Sequence, residues 1–198
     1  MHKGRLEAFS DAVIAIIMTV MVLELKAPKG TSLEGLEAAI PDLSLYLLSF
    51  VFLAIYWNNH HHMLQVAKHV NGAVLWANMH LLFWLSLIPF GTNWMGDSHL
   101  AHWPVAFYGF LLLMCGASYW ILQFALVAAN GRDSDFARAL GSDFKGKASV
   151  GFYAVAIGLS WVNPVLSSLV FVLVACMWLV PDKRMERALN VHENNHRR

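Results

Sequence analysis

The chain has 198 residues, of which 58% are hydrophobic and 14% charged, with a formal net charge of +1. Ordinary soluble domains run near 45–50% apolar and about 25% charged, so composition excludes disorder, a collagen repeat and a low-complexity scaffold. No basic stripe alternates with exposed aromatics, which removes nucleic acid as a partner.

A bilayer span needs about 20 residues, since roughly 1.5 Å of rise per residue must cross about 30 Å of hydrocarbon. The first apolar run, Ala12 to Leu23, has 12 residues between Asp11 and Glu24 and is too short to span alone. Helix formers extend it both ways, predicting a helix over about 6–26 that Pro28 and Gly30 end. A signal peptide fits poorly, because Asp11 sits where the apolar region should begin and no small-residue cleavage site follows Leu23.

Pro41 opens the second predicted span, about 43–66, which carries His60, His61 and His62 near its far end. Asn71 and Gly72 begin the third, about 72–90, with Pro89 near its end. A short linker leads to the fourth, about 102–129, and a polar stretch from Asn130 to Lys147 follows. The Asn163-Pro164 turn separates the fifth span, about 148–162, from the sixth, about 165–180, both shorter than an average span. Cys115 and Cys176 lie in apolar runs and read as small packing residues.

The predicted fold is therefore all-α: a polytopic membrane protein with six transmembrane helices per subunit, in a single domain covering 1–198. Six spans put both termini on one side. With the ends inside, twelve basic residues fall inside (Lys3, Arg5, Lys68, Arg132, Arg138, Lys145, Lys147, Lys183, Arg184, Arg187, Arg197 and Arg198), and only Lys26 and Lys29 fall outside. That bias predicts cytoplasmic termini. The expected location is the cell (plasma) membrane.

The segment Arg5 to Asp11 brings a basic residue, a hydroxyl and carboxylates to the mouth of the first helix. Glu7 and Asp11 share a face, while Ser10 and Asp11 point about 100° apart. Two readings stand: a wet charged flank with Ser10 and Asp11 capping the span, or a buried polar network fixing this helix against its neighbours. Beyond it, Ile16, Val20 and Leu23 recur at helical spacing, with Ala12 and Thr19 extending the same face. Such a stripe serves helix packing, or forms a narrow apolar ring between the hydrated ends marked by Asp11 and Glu24.

His60, His61 and His62 invite a metal reading, yet consecutive helical residues splay by about 100° and cannot converge on one ion. No structural metal and no cofactor are expected. A histidine bonded within the bundle fits better, with Asn58, Asn59, Asn78 and His80 in the same polar layer. Enzymatic motifs are missing: no nucleophile elbow, no phosphate-binding glycine loop, no dinucleotide fingerprint. Asp11 and Glu24 stand about 20 Å apart along one helix, too far for a shared-proton dyad.

At Arg5 and Phe9-Ser10-Asp11, followed by AVIAIIMTVMVLE, the chain resembles the transmembrane-protein-175 family of potassium-permeable channels. The Trp57–His61 and Asn78–Pro89 regions resemble it too. The resemblance implies a homotetramer in the lipid bilayer, with the first helix of each of the four subunits lining the pore for potassium ions. It further implies modest selectivity for potassium over sodium, through a hydrophobic constriction rather than a carbonyl filter. By that likeness Ile16 is the constriction and Thr19, Val20 and Leu23 line the pore, with potassium transiently near Ile16 and Thr19. Arg5, Ser10 and Asp11 match the family's inter-helix network, and a second-span histidine matches His61, with Asn78 and His80 beside it. The alternative is a proton- or cation-coupled secondary transporter using Asp11 or Glu24, a class that usually shows inverted repeats and more membrane length.

Overall fold

The computed structural model describes residues 3–28, 31–140 and 143–179, and these form eight helices. Lys29, Lys183, Arg184, Arg187, Arg197 and Arg198, all counted in the charge asymmetry, lie outside the described residues, as does the end of the expected sixth span at Val180.

Helix α1 (Lys3–Leu23) runs unbroken for 21 residues, about 30 Å. It turns Leu6, Ser10, Ile14, Ile17 and Met21 inward, one residue per turn. Helix α2 (Leu33–Val66) begins ten residues before the expected span and runs through Pro41. A proline removes one i→i−4 bond, and the helix formers of 33–40, with Glu34 in the positive first turn, carry the helix across that gap. Asn71 caps α3 (Gly72–Ser86), its side chain accepting from Val74 N at 3.0 Å. Pro89 forces a break at Leu87, and α4 (Ile88–Asp97) continues the same apolar stretch. Helix α5 (His102–Asn130) packs against α3, α4 and α7. A short α6 (Asp135–Leu140) leads to α7 (Phe144–Leu159) and α8 (Pro164–Leu179).

These lengths correct the expectation of six spans per subunit, and with it a pore built from four six-helix subunits. Among the described residues four helices are long and apolar enough to cross a membrane: α1, α2, α3 with α4 (Gly72–Asp97), and α5. Helix α7 has 16 residues and α8 has 16 described residues, about 24 Å each at 1.5 Å per residue, against a hydrocarbon core of about 30 Å. Of the two, α8 is the apolar one. They pack as a pair on α5 and α2.

Buried serines hold this bundle without stranding polar atoms. Ser49 Oγ lies 2.7 Å from both Thr92 Oγ1 and Tyr108 Oη, tying α2, α4 and α5 together. Ser167 donates to Ala156 O at 2.7 Å, joining α8 to α7. A close helix contact lies at Gly109, where a Cβ would stand 3.0 Å from Ile157 and 3.1 Å from Phe171. Overpacking of such a site typically costs about 1–3 kcal/mol. Gly109→Leu should therefore lower the melting temperature of the detergent-solubilised protein, whereas Gly151→Leu, at a helical glycine with open space around it, should leave it nearly unchanged.

Candidate functional site

The inner face of α1 carries one polar residue at its centre. Ser10, Asn78 and His60 are each fully buried and come from α1, α3 and α2. Asn78 Nδ2 donates to Ser10 Oγ at 2.9 Å, and Ser10 Oγ donates in turn to Leu6 O at 2.8 Å. Asn78 Oδ1 lies 2.7 Å from His60 Nε2. An amide oxygen only accepts, so His60 carries its proton on Nε2 in this arrangement. Its Nδ1 is buried and has no hydrogen-bond partner. The histidine of the buried chain is thus His60, one position before the expected residue.

A second, half-buried cluster lies beside it. Trp57 Nε1 donates to Asp11 Oδ1 at 3.0 Å, joining α2 to α1. The His61 ring stacks on Trp57 at 5.8 Å between centroids. Its Nε2 pairs with the Gln65 amide at 2.7 Å, and Nδ1 lies 3.1 Å from Glu7 Oε1. That last contact is off the N–H direction, so it is electrostatic rather than a well-formed hydrogen bond. Glu7, Asp11 and His61 bring one ligand atom each to within 4.8 Å of one another. Three such donors could approach a cation, though Asp11 and Glu7 are already engaged by Trp57 and His61.

Two expected network members stand apart. Arg5 is exposed, and among the described residues it meets neither Ser10 nor Asp11. His80 accepts from Trp84 Nε1 at 3.0 Å, a bond within α3. Two residues that sequence reading passed over matter more: Trp57, named only as part of a region, and His60, one of three that spacing could not separate. Asn78 provided the missing signal, since only a polar partner from α3 picks one histidine out of the run.

Among the described residues the outer face of α1 is largely uncovered. Ile16 is 60% exposed and Leu23 81% exposed, and Val20 is 38% exposed. Thr19 shares this face, its hydroxyl donating to Ile16 O at 2.9 Å. With its proton used, the Thr19 oxygen keeps lone pairs free to face outward. At the far end Lys26 pairs with Asp97 at 2.6 Å, a contact that raises the Lys26 pKa; both groups are largely exposed. Glu24 and Asp42 line the same small pocket.

Comparison with known proteins places this geometry. The family model described as Endosomal/lysosomal potassium channel TMEM175 matches residues 5–89, which contain both clusters and all but the first two residues of α1. A relative from Chryseobacterium sp. (strain P1-3), described as a potassium channel, is 50% identical over 189 residues, covering 96% of this chain and 98% of the relative. The chain belongs to the TMEM175 family of potassium channels. It is therefore a transport protein and not an enzyme.

A crystal structure described as a lysosomal potassium-selective channel TMEM175 homolog from Chamaesiphon minutus matches with a TM-score of 0.78 at 26% identity. The match covers 90% of this chain and 96% of that one, and supports an all-α, multi-pass membrane fold. A Danio rerio relative, 29% identical over 96 residues (46% of this chain, 18% of the relative), is described as an endosomal/lysosomal proton channel. The family model and this relative both carry the endosomal/lysosomal description. The expected plasma-membrane location is corrected accordingly. Basic-residue counts orient a chain within a bilayer but do not say which membrane holds it.

The buried chain yields a direct test. Asn78→Leu removes the partner that Ser10 and His60 share: Ser10 keeps its bond to Leu6 O, while the His60 Nε2–H is left without an acceptor in an apolar interior, at a cost of about 1–3 kcal/mol. The melting temperature should fall by several degrees relative to wild type. His80→Leu, which breaks only a bond within α3, should change it far less.

Proposed function

We propose that the exposed face of α1 lines an ion path on the axis of a homo-oligomer, with Ile16 as the apolar constriction and Thr19, Val20 and Leu23 as further lining. One observation carries this reading: a membrane helix presents four pore-compatible residues to the outside while its buried face is fully used by its own subunit. Family membership supports potassium as the permeating ion. A second copy of α1 is the partner this reading gives the face, because the described residues of one chain leave Ile16 60% and Leu23 81% exposed.

The mechanism follows from the side chains. Symmetry-related Ile16 residues close the path to water by dewetting, and a small widening rehydrates it. Thr19, one turn on, offers hydroxyl oxygens to an ion that has shed part of its water. Potassium dehydrates more cheaply than sodium, so a tight and weakly polar neck penalises sodium more and gives modest selectivity. Asp11 and Glu7 at one end, and Glu24 and Asp42 at the other, raise the local cation concentration. A coupled transporter using Asp11 gains no support from the geometry, because its carboxylate is held by Trp57.

Packing and pore lining give opposite answers at Ile16. Ile16→Asn in a pore hydrates the constriction, so potassium current in planar bilayers should rise and the potassium-to-sodium permeability ratio should drop toward one. Ile14→Asn places an amide at a fully buried position, and should instead destabilise the subunit. An unchanged permeability ratio in well-assembled Ile16→Asn protein removes Ile16 from the constriction. Native mass spectrometry of the wild type reads the number of copies, and a monomer that conducts would overturn the shared pore.

A further inference from the structure

A second feature lies away from α1 and outside the proposed ion path. Where α2 and α5 end, a cleft of about 240 Å³ opens, lined by Lys68, His69, Asn130, Ser134, Phe136 and Arg138. The pocket at the far end of α1 and the one between α2, α5, α7 and α8 are about 30 and 40 Å³, little more than the space one water needs. Three of the lining side chains of the large cleft are basic or can become so, and none is a carboxylate.

Its walls are built rather than accidental. Asn130, the last residue of α5, accepts from Lys68 N at 2.8 Å and His69 N at 2.9 Å. Its amide nitrogen donates to His69 O at 3.0 Å and Leu126 O at 2.9 Å. One side chain therefore fixes the 68–69 backbone against α5. The same bonds satisfy a carbonyl of the last turn, where a helix end would otherwise repel an anion. Phe136 is buried and anchors α6 as an apolar floor. Lys68 and Arg138 stand exposed at the rim, and each also engages other groups of the chain.

Position adds a constraint on what enters. The cleft sits at the ends of two spanning helices, level with the start of α1, where Lys3 Nζ donates to Gln65 O at 3.1 Å. This is the depth at which lipid phosphates lie. Basic pockets between helix ends at that depth suit anionic headgroups, with each nearby Lys or Arg contributing severalfold to affinity. A phosphate offers oxygens to both cations, and its glycerol end meets the apolar floor.

We propose that this cleft is a binding site for the phosphate of an anionic phospholipid headgroup, held by Lys68 and Arg138 with His69 and Ser134 beside them. The test uses the full-length protein in lipid nanodiscs of phosphatidylcholine alone or with added phosphatidylglycerol, read by thermal melting and by native mass spectrometry of retained lipid. Phosphatidylglycerol should raise the melting temperature and remain bound. The double variant Lys68→Gln/Arg138→Gln should lose most of both effects, an affinity fall of about tenfold or more, while eluting like wild type in size exclusion. Lys26→Gln, which removes one positive charge at the opposite end of α1, should retain both. Equal retention by the double variant and the wild type would overturn the site. Stabilisation by inorganic phosphate in phosphatidylcholine alone, matching that by phosphatidylglycerol, would overturn the lipid assignment in favour of a free anion.

Discussion

The rotation of α1 about its own axis is set by one buried chain of hydrogen bonds, from Leu6 O through Ser10 and Asn78 to His60. In water an apolar residue chooses the inside by itself. In hydrocarbon it has no such preference, because lipid is as apolar as the core, and polar contacts and close packing decide which face turns in. Ile14 and Ile16 are chemically the same residue two positions apart, yet one is fully buried and the other mostly exposed. Ser10 makes the difference. Ile14, Ile17 and Met21 follow it at four, seven and eleven residues and fall on its side of the helix, while Thr19 stands about 180° away.

That constraint explains how the sequence could be read. The helices were legible because length and apolar content are properties of a segment. The inward face of α1 was legible only in outline, since its apolar pattern runs nearly all round and the deciding residue is a single serine. Among His60, His61 and His62 the spacing shows that one at most points toward a given neighbour. The choice of His60 depends on where Asn78 lands after α3 folds back, which no local pattern encodes. Glu7 and Asp11 share a face by simple periodicity, and the structure adds what sequence spacing could not: Trp57 and His61 arriving from α2. The count of spans failed for a different reason. Helix α7 has 16 residues with Lys145 and Lys147 in its first turn, and α8 has 16 described residues, and hydropathy alone does not report the length of a helix.

Serine recurs as the means of close contact in this bundle. Ser118 and Ser149 donate to carbonyls one turn back in their own helices, at 2.7 and 2.8 Å. Such a residue is small enough for a neighbour to approach and needs no partner from outside its helix. Ser149 also accepts from Trp178 Nε1 at 2.8 Å, so α7 and α8 are joined by a bond as well as by apolar packing. Interfaces made this way tolerate a lipid environment, where an unpaired hydroxyl would be costly.

A rigid α1 limits how a pore lined by it can open. Turning the helix by one residue, about 100°, would carry Ser10 away from Asn78 and leave the Asn78 amide N–H without its buried acceptor, while the Asn78–His60 bond between α3 and α2 stays intact. The cost is about 1–3 kcal/mol per subunit, multiplied by the number of copies. Sliding or tilting the whole subunit outward breaks none of these bonds, because Ser10, Asn78 and His60 move together. The Asp11–Trp57 bond joins the same helices and moves with them. Under the proposed arrangement, opening is therefore a displacement of subunits as bodies. The barrier then resides in the contacts between copies of the Ile16 face, where a modest separation suffices to admit water.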